Sequence, residues 1–323
     1  MIFASILTST QELHIPDGFL HNAVSAVCWV IAAVVIAIAV RKAQSKFDER
    51  LVPLAGIMAA FIFAAQMINF PVAGGTSGHM VGAALAFIVL GPWLGMLVMS
   101  AVIILQALLF QDGGLVVMGA NLIVMGVVPG FIGYQIYQFA VGQTQKVKLG
   151  VAAGAAWISI MAAAFVTALL LSFSGTISGA IAVPAMLGIH ALIGIGEALI
   201  TTAVLTFIMN SRPALLEQGA ADNGKGNWAV IGLVLALIVV LFAPLASGSP
   251  DGLEWVAEQT GFIETAQDAP FELLPDYTIP ALGETGMSTI VAGLIGALLV
   301  GGIAFGVSRL LMRRPQSTQQ STQ

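Results

Sequence analysis

Apolar runs of about 18 residues or more recur along this 323-residue chain, and each is long enough to cross roughly 30 Å of hydrocarbon as a helix. Side chains are 58% hydrophobic and only 8% charged, whereas a soluble domain carries about a quarter charged residues. A soluble globular fold is therefore excluded. The expected fold class is an all-α integral membrane protein of nine helices, at about 22–41, 51–70, 79–93, 94–111, 115–142, 149–173, 182–209, 228–246 and 286–308. The stretch "GPWLG" (91–95) is either a tight turn between the third and fourth helices or a kink.

Orientation follows from the basic residues, which favour cytoplasmic loops. Arg41, Lys42, Lys46 and Arg50 follow the first helix, and Lys146 and Lys148 follow the fifth. Arg212 and Lys225 follow the seventh, and Arg309, Arg313 and Arg314 the ninth. Nine spans with the N-terminus outside and the C-terminus inside place all eleven on one side. The expected location is the inner (cytoplasmic) membrane.

Residues 213–227, "PALLEQGAADNGKGN", read as a flexible cytoplasmic linker. It divides a seven-helix part from two helices that bracket an external loop at 247–285. That loop holds eight of the sixteen acidic residues and no basic one. The tail "PQSTQQSTQ" (315–323) is low-complexity and expected to be disordered. A single cysteine, Cys28, rules out an internal disulfide and any Cys-rich metal site. Small-residue spacings at Ala33/Ala37 and Ala60/Ala64 permit close helix approach, within the chain or to a partner.

Few side chains offer chemistry. On this topology His14, His21 and His79 lie at the outer ends of helices, in "HIPDGFL" (14–20) and its neighbourhood and at the close of the Gly-rich "GGTSGH" (74–79). Each is either a solvated loop residue or a ligand; imidazole suits Zn, Cu, Fe and Ni, whereas Ca or Mg would require clustered oxygens. His190 and Glu197, seven apart, share a face of the seventh helix. Intramembrane ionisable groups face the bundle interior, so this pair is a structural clamp or does second-shell or gating work. Gln66, Asn69, Gln106 and Asn121 are embedded amides suited to interhelical hydrogen bonds. Asp112 in "FQDGG" reads as a turn residue, and Cys28 as packing. No phosphate-binding "GxxxxGK[ST]" and no "HExxH" occurs, so neither P-loop ATP hydrolysis nor a zincin-type metalloenzyme is expected.

"HIPDGFL" (14–20), "GGTSGHMVGAALAFIVLGPW" (74–93), "QALLFQDGGL…MGANLIVMG" (106–126) and "HALIGIGEALI" (190–200) together resemble the CbiM/NikM family. These are substrate-binding components of energy-coupling-factor transporters for cobalt or nickel. The likeness runs from about residue 13 to 210. The segment "SPDGLEWVAEQTGF" (249–262) resembles a PDGLE-type, NikN-like accessory subunit fused to the first part.

The resemblance implies a non-enzymatic import component that captures Co2+ or Ni2+ as substrate, with no bound cofactor, to supply cobalamin biosynthesis or nickel enzymes. It implies a CbiQ/NikQ-like coupling subunit and CbiO/NikO-like ATPase subunits as partners, in membrane lipid and without nucleic acid. It also implies a square-planar nitrogen site from a terminal amine, the next backbone nitrogen, that residue's imidazole and a Gly-rich-loop histidine. Carried over, these are Leu13, His14 and His79, with His190, Glu197, Asn69, Gln106 and Asn121 as second-shell or gating residues. Pro16, lacking an amide hydrogen, stops backbone coordination from running further, and Asp17-Gly18 suits a turn folding the segment back. Square-planar nitrogen ligation favours Ni(II), with Cu(II) as competitor.

Twelve residues precede Leu13, however, and "MIFASILTSTQE" lacks the basic region and apolar length of a signal peptide. They are expected to be absent from the functional protein, Leu13 being a misread UUG or CUG start codon. The rival function is a stand-alone secondary metal transporter or channel, which would generally show more intramembrane ionisable groups.

The topology predicts that a cysteine replacing Glu264, in a Cys28→Ser background, reacts with membrane-impermeant maleimide in intact cells. Labelling only after permeabilisation would reverse the orientation.

Overall fold

The computed structural model describes residues 14–45, 51–212, 228–271 and 273–312. The expected leader at 1–12, Leu13, the linker at 213–227 and the tail at 315–323 lie outside the described residues. Among the described residues, besides short 3-10 turns, there are ten helices: α1 (Asn22–Ser45), α2 (Leu51–Gln66), α3 (Ala83–Leu90), α4 (Pro92–Phe110), α5 (Met118–Gln138), α6 (Gln145–Phe173), α7 (Gly179–Ser211), α8 (Trp228–Leu245), α9 (Gly252–Thr260) and α10 (Gly286–Met312). A small antiparallel hairpin, β1 (Phe70–Val72) with β2 (Thr76–Gly78), turns through Gly74 and Gly75, both at positive φ.

Seven helices, α1, α4, α5, α6, α7, α8 and α10, are long and apolar enough to cross a membrane. The second and third expected helices fall short of that length. At 16 residues α2 is about 24 Å long, and α3, at eight residues, about 12 Å. The third helix was expected from residue 79 but begins at Ala83. Its predecessor Gly82 sits at φ 78, a left-handed conformation that glycine tolerates and a helix does not continue through. Residues 79–82 thus approach α3 as irregular backbone covered by protein. At the other end of α3, Gly91 (φ 78) and Pro92 make the "GPWLG" stretch a tight turn into α4.

The 247–285 segment is more than a loop, because it contains α9. Here "PDGLE" is a helix start. Asp251 accepts from the backbone N–H groups of Leu253 and Glu254, and Glu254 accepts from that of Asp251. This reciprocal capping box ties both carboxylates to the helix N-terminus.

The C-terminal helices are not appended at the edge. α10 crosses α2 where Gly56 meets Gly301; a Cβ at either would lie 2.9–3.1 Å from the other's carbonyl oxygen. Ala60, one turn on, meets the same glycine, so this small-residue spacing serves contact within the chain. Ala33 and Ala37 are exposed on α1 instead.

One end of the bundle is stitched together by bonds between segments distant in sequence. Thr176 donates to the carbonyl of Phe19, Ser247 N–H to Asn69, Gln267 N–H to Asp17, and Leu274 N–H to Leu109. Asp17 does more than turn the chain. Its carboxylate accepts from the N–H groups of Leu115, Val116 and Val117 at 2.9–3.1 Å, just before α5. Gly114 must be glycine beside it, since a Cβ there would meet Asp17 Oδ1 at 2.2 Å. We expect Asp17→Ala to strand three donors and cost about 3 kcal/mol. Thermal denaturation of the detergent-solubilised protein would read this as a lowered melting temperature; an unchanged one would deny the carboxylate that role.

Candidate metal-capture site

At the stitched end His14 and His79 face each other, both buried, with ring centroids 6.2 Å apart. Two imidazoles sharing one ion through nitrogens at about 2.1 Å place their ring centres roughly 4.5 Å apart at 90° and roughly 6.5 Å apart at 180°. The observed separation lies within that range.

His14 is fixed from three sides. Its Nδ1 lies 2.5 Å from Asp112 Oδ1. A carboxylate only accepts, so in the neutral ring Nδ1 carries the hydrogen and Nε2 the lone pair. That Nε2 is buried and, among the described residues, has no hydrogen-bond partner. The backbone of the next residue is clamped by Asn121, whose Oδ1 accepts from Ile15 N–H and whose Nδ2 donates to the Ile15 carbonyl, both at 3.0 Å. Gly113 (φ 97) lets the loop close over the histidine, since a Cβ there would lie 2.7 Å from His14 Cβ. Asp112 follows a π-helical turn at Gln106–Phe110 and Gln111 at φ 56, an irregularity that aims it inward.

His79 lies four residues before α3. Its Nδ1 donates to the Met80 carbonyl at 3.0 Å, again leaving the lone pair on Nε2. The backbone beyond it is held from inside the bundle. Glu197 on α7 accepts from the N–H groups of Val81 (2.7 Å) and Gly82 (2.8 Å), and Gln66 on α2 donates to the Val81 carbonyl at 2.8 Å. His190, one face of α7 further out, donates from Nδ1 to the Met186 carbonyl and packs beneath Gly252 at the start of α9.

The C-terminal part reaches every element of this site. The carbonyls of Ser249 and Pro250 accept from Ser77 and Thr76 in the His79 hairpin. Gly18, where a Cβ would overlap the Thr265 carbonyl at 1.9 Å, seats the segment 262–267 on the His14 turn. Tyr277 donates to Asp112 Oδ2 at 2.5 Å and accepts from Gln106 Nε2 at 3.2 Å. Burial would raise the Asp112 carboxyl, but the neighbouring His14 and the hydrogen bonds from His14 and Tyr277 hold it below its ordinary value. Burial and the Asp112 charge push the Tyr277 hydroxyl well up, so it stays a donor. Burial likewise raises Asp251, with the opposing influence of His79 felt across the site.

Of the residues singled out from sequence, His14, His79, Gln106, Asn121, Glu197 and His190 are found at or directly supporting this end. Asn69 joins it through its backbone carbonyl, which accepts from Ser247. Leu13 lies outside the described residues. Only Nδ1 of a histidine can close a chelate ring with its own backbone nitrogen; in the structure that Nδ1 is hydrogen-bonded to Asp112. Among the described residues no three His, Cys, Asp or Glu side chains form a metal-holding cluster, so two imidazoles are the core of what this end provides. His21 is exposed and accepts from Ala23 N–H at the start of α1. Sequence reasoning missed Asp112, read as a plain turn residue, and Tyr277, for which no local signal existed; Asp251 carried one, a glutamate three residues on in the PDGLE stretch that marks a capped helix start.

A family model described as the cobalt uptake substrate-specific transmembrane region matches residues 14–215, and a PDGLE domain model matches 226–313. An Archaeoglobus fulgidus protein named as a fused nickel transport protein, NikMN, is 37% identical over 92% of this chain and 98% of its own length. The fused nickel transport protein NikMN of Rhodobacter capsulatus is 29% identical, over 94% and 99% respectively. A crystal structure of a truncated transition metal transporter matches with a TM-score of 0.56 and 33% identity, over 61% of this chain and 99% of that one.

The carboxylate of Glu197 is the acceptor for two backbone donors inside the bundle. Glu197→Ala should therefore cost about 2–5 kcal/mol, and Glu197→Gln, which keeps one acceptor, roughly half. Melting temperatures of the two purified variants test the order; equal values would show that the backbone finds other partners.

Proposed function

Because the chain belongs to the CbiM family of cobalt uptake substrate-specific transmembrane proteins and carries a PDGLE domain behind it, we propose that it captures Co2+ or Ni2+ on the outer imidazole pair, His14 and His79, and passes the ion inward. The protein is the membrane component of a CbiM/NikM-type cobalt/nickel importer of the energy-coupling-factor class, a transport component and not an enzyme. The observation that carries the ligand assignment is the buried His14–His79 pair, with ring centroids 6.2 Å apart. Nickel is the favoured ion, since relatives that match both parts of the chain along nearly their whole length are named for nickel transport.

Membership of such a family implies partner subunits. We assign these as a CbiQ/NikQ-like coupling subunit and CbiO/NikO-like ATPases, which would supply the energy that this chain has no P-loop to extract. The orientation that fits is nine crossings with the site outside and the C-terminus inside. In sequence no Lys or Arg falls in the segments joined at the stitched end (14–20, 74–79, 111–117, 174–178 and 247–285). Within this reading the domains run 13–212 for metal binding and 228–314 for the accessory part. Asn121 holds the His14 segment, and Glu197 with Gln66 holds the His79 segment.

Titration calorimetry of the purified protein with Ni2+ should show that His14→Ala and His79→Ala each abolish high-affinity binding while His21→Ala leaves it intact. Unchanged affinity in His79→Ala would sink the assignment. Uptake in cells should also require the ATPase subunits; uptake without them would favour a stand-alone carrier.

A further inference from the structure

We propose that Asp251, the capping residue of α9, is a charge-compensating residue for metal capture: its carboxylate supplies negative charge beside His79 to a divalent ion held there, without bonding to the ion. This rests on the reading of His79 as a ligand.

The two residues are set side by side through their immediate chain neighbours. Ser77, at the centre of β2, donates from its N–H to the Pro250 carbonyl and from Oγ to the Ser249 carbonyl, both at 2.8 Å. Gly78 precedes His79 and Gly252 follows Asp251, and both glycines press on the same side chain of α7. A Cβ at Gly78 would lie 2.7 Å from Ile193, and one at Gly252 would lie 2.8 Å from it. His79 and Asp251 are both buried where these segments meet. Among the described residues no three His, Cys, Asp or Glu side chains are close enough to hold one ion together. The part left to Asp251 is therefore its field and not a bond.

Capping does not account for the charge. Asp251 Oδ1 accepts from the N–H groups of Leu253 and Glu254, each at 2.8 Å. Asparagine or serine would cap the helix about as well, and a neutral cap would avoid the cost of burying a carboxylate. No Lys or Arg lies in 74–79, 111–117 or 247–285 to offset it. Burial disfavours the ionised carboxyl and the Asp112 charge adds to that, while His79 opposes both. His79 is likewise felt by Asp112. A doubly charged ion arriving at His79 thus finds two buried carboxylates within electrostatic reach, and it relieves the repulsion between them. In a site of low dielectric such an attraction is worth far more than it is in water. The C-terminal part of the chain thereby contributes half of this negative charge from the first turn of α9.

The test uses the full-length protein in detergent, with Asp251→Asn, Asp251→Ala and His79→Ala titrated with Ni2+ side by side and each melted without metal. Asp251→Asn keeps an acceptor for the helix start and loses the charge. It is expected to bind about tenfold or more weakly, to melt metal-free like the unmodified protein, and to show superimposable Ni2+ absorption bands when saturated. Asp251→Ala is expected to lose metal-free stability as well, since the cap goes with the charge. Wild-type affinity in Asp251→Asn, with binding by His79→Ala abolished, overturns the proposal and leaves the ligand reading standing. Wild-type affinity in His79→Ala overturns the ligand reading itself. Weaker binding with altered bands means that Asp251 bonds to the ion or orients a ligand, and it overturns a role through charge alone. If Asp251→Asn melts lower without metal, Asp251→Ser, a smaller neutral cap, is read by the same criteria. Weaker binding joined in both variants to a lower metal-free melting temperature reduces Asp251 to packing and overturns the proposal.

Discussion

Backbone that leaves the helix inside a membrane bundle has no water to turn to, so each exposed N–H and C=O must be met by another part of the protein. The end of this molecule that carries His14 and His79 depends on that requirement at three places. The His14 turn is met by Asn121, which bonds both the N–H and the carbonyl of Ile15. The 115–117 turn is met by the Asp17 carboxylate, and the approach to α3 by Glu197 and Gln66. Each of these polar side chains satisfies irregular backbone, and the irregular backbone in turn carries or adjoins a histidine. Site geometry and fold stability are thus the same set of bonds.

Glu197 shows what this means for an intramembrane charge. A carboxylate deep in a helix is usually examined first as an ion or proton relay. Here both oxygens are occupied by backbone donors ahead of α3, so the residue acts as the cap that the helix lacks on its own sequence, where Gly82 supplies no side chain. The histidine at 79 can stand off the helix because the two residues nearest the helix start are held from α7.

The second constraint is closeness. Gly113, Gly114 and Gly18 sit where backbone segments from both parts of the chain approach within contact distance of His14, Asp17 and Thr265. Side chains at these positions would separate the loops and, with them, Asp112 from His14. The same closeness makes the C-terminal part structural for the site. Its α10 is seated on α2 through Gly56 and Gly301, its α9 starts over His190, and its Tyr277 bonds Asp112. A fused arrangement ensures that a site shared between two parts assembles at a fixed ratio, the second part being tethered and not recruited.

The sequence by itself determined that the chain is an α-helical membrane protein, because run length and polarity are local properties and the bilayer thickness sets the required length. Its motifs, through their family resemblance, also put forward Leu13, His14 and His79 as candidate ligands, the two histidines lying in turn-forming segments. Only the tertiary structure decided the rest. Asp112 is 98 residues from His14 and 165 from Tyr277, and Glu197 is 116 from Val81. A polar residue in a loop has the same local surroundings in sequence whether it is solvated or buried against a partner. The start of α3 at Ala83 instead of residue 79 has the same origin, because an apolar segment reads as helix until a distant carboxylate takes its backbone donors.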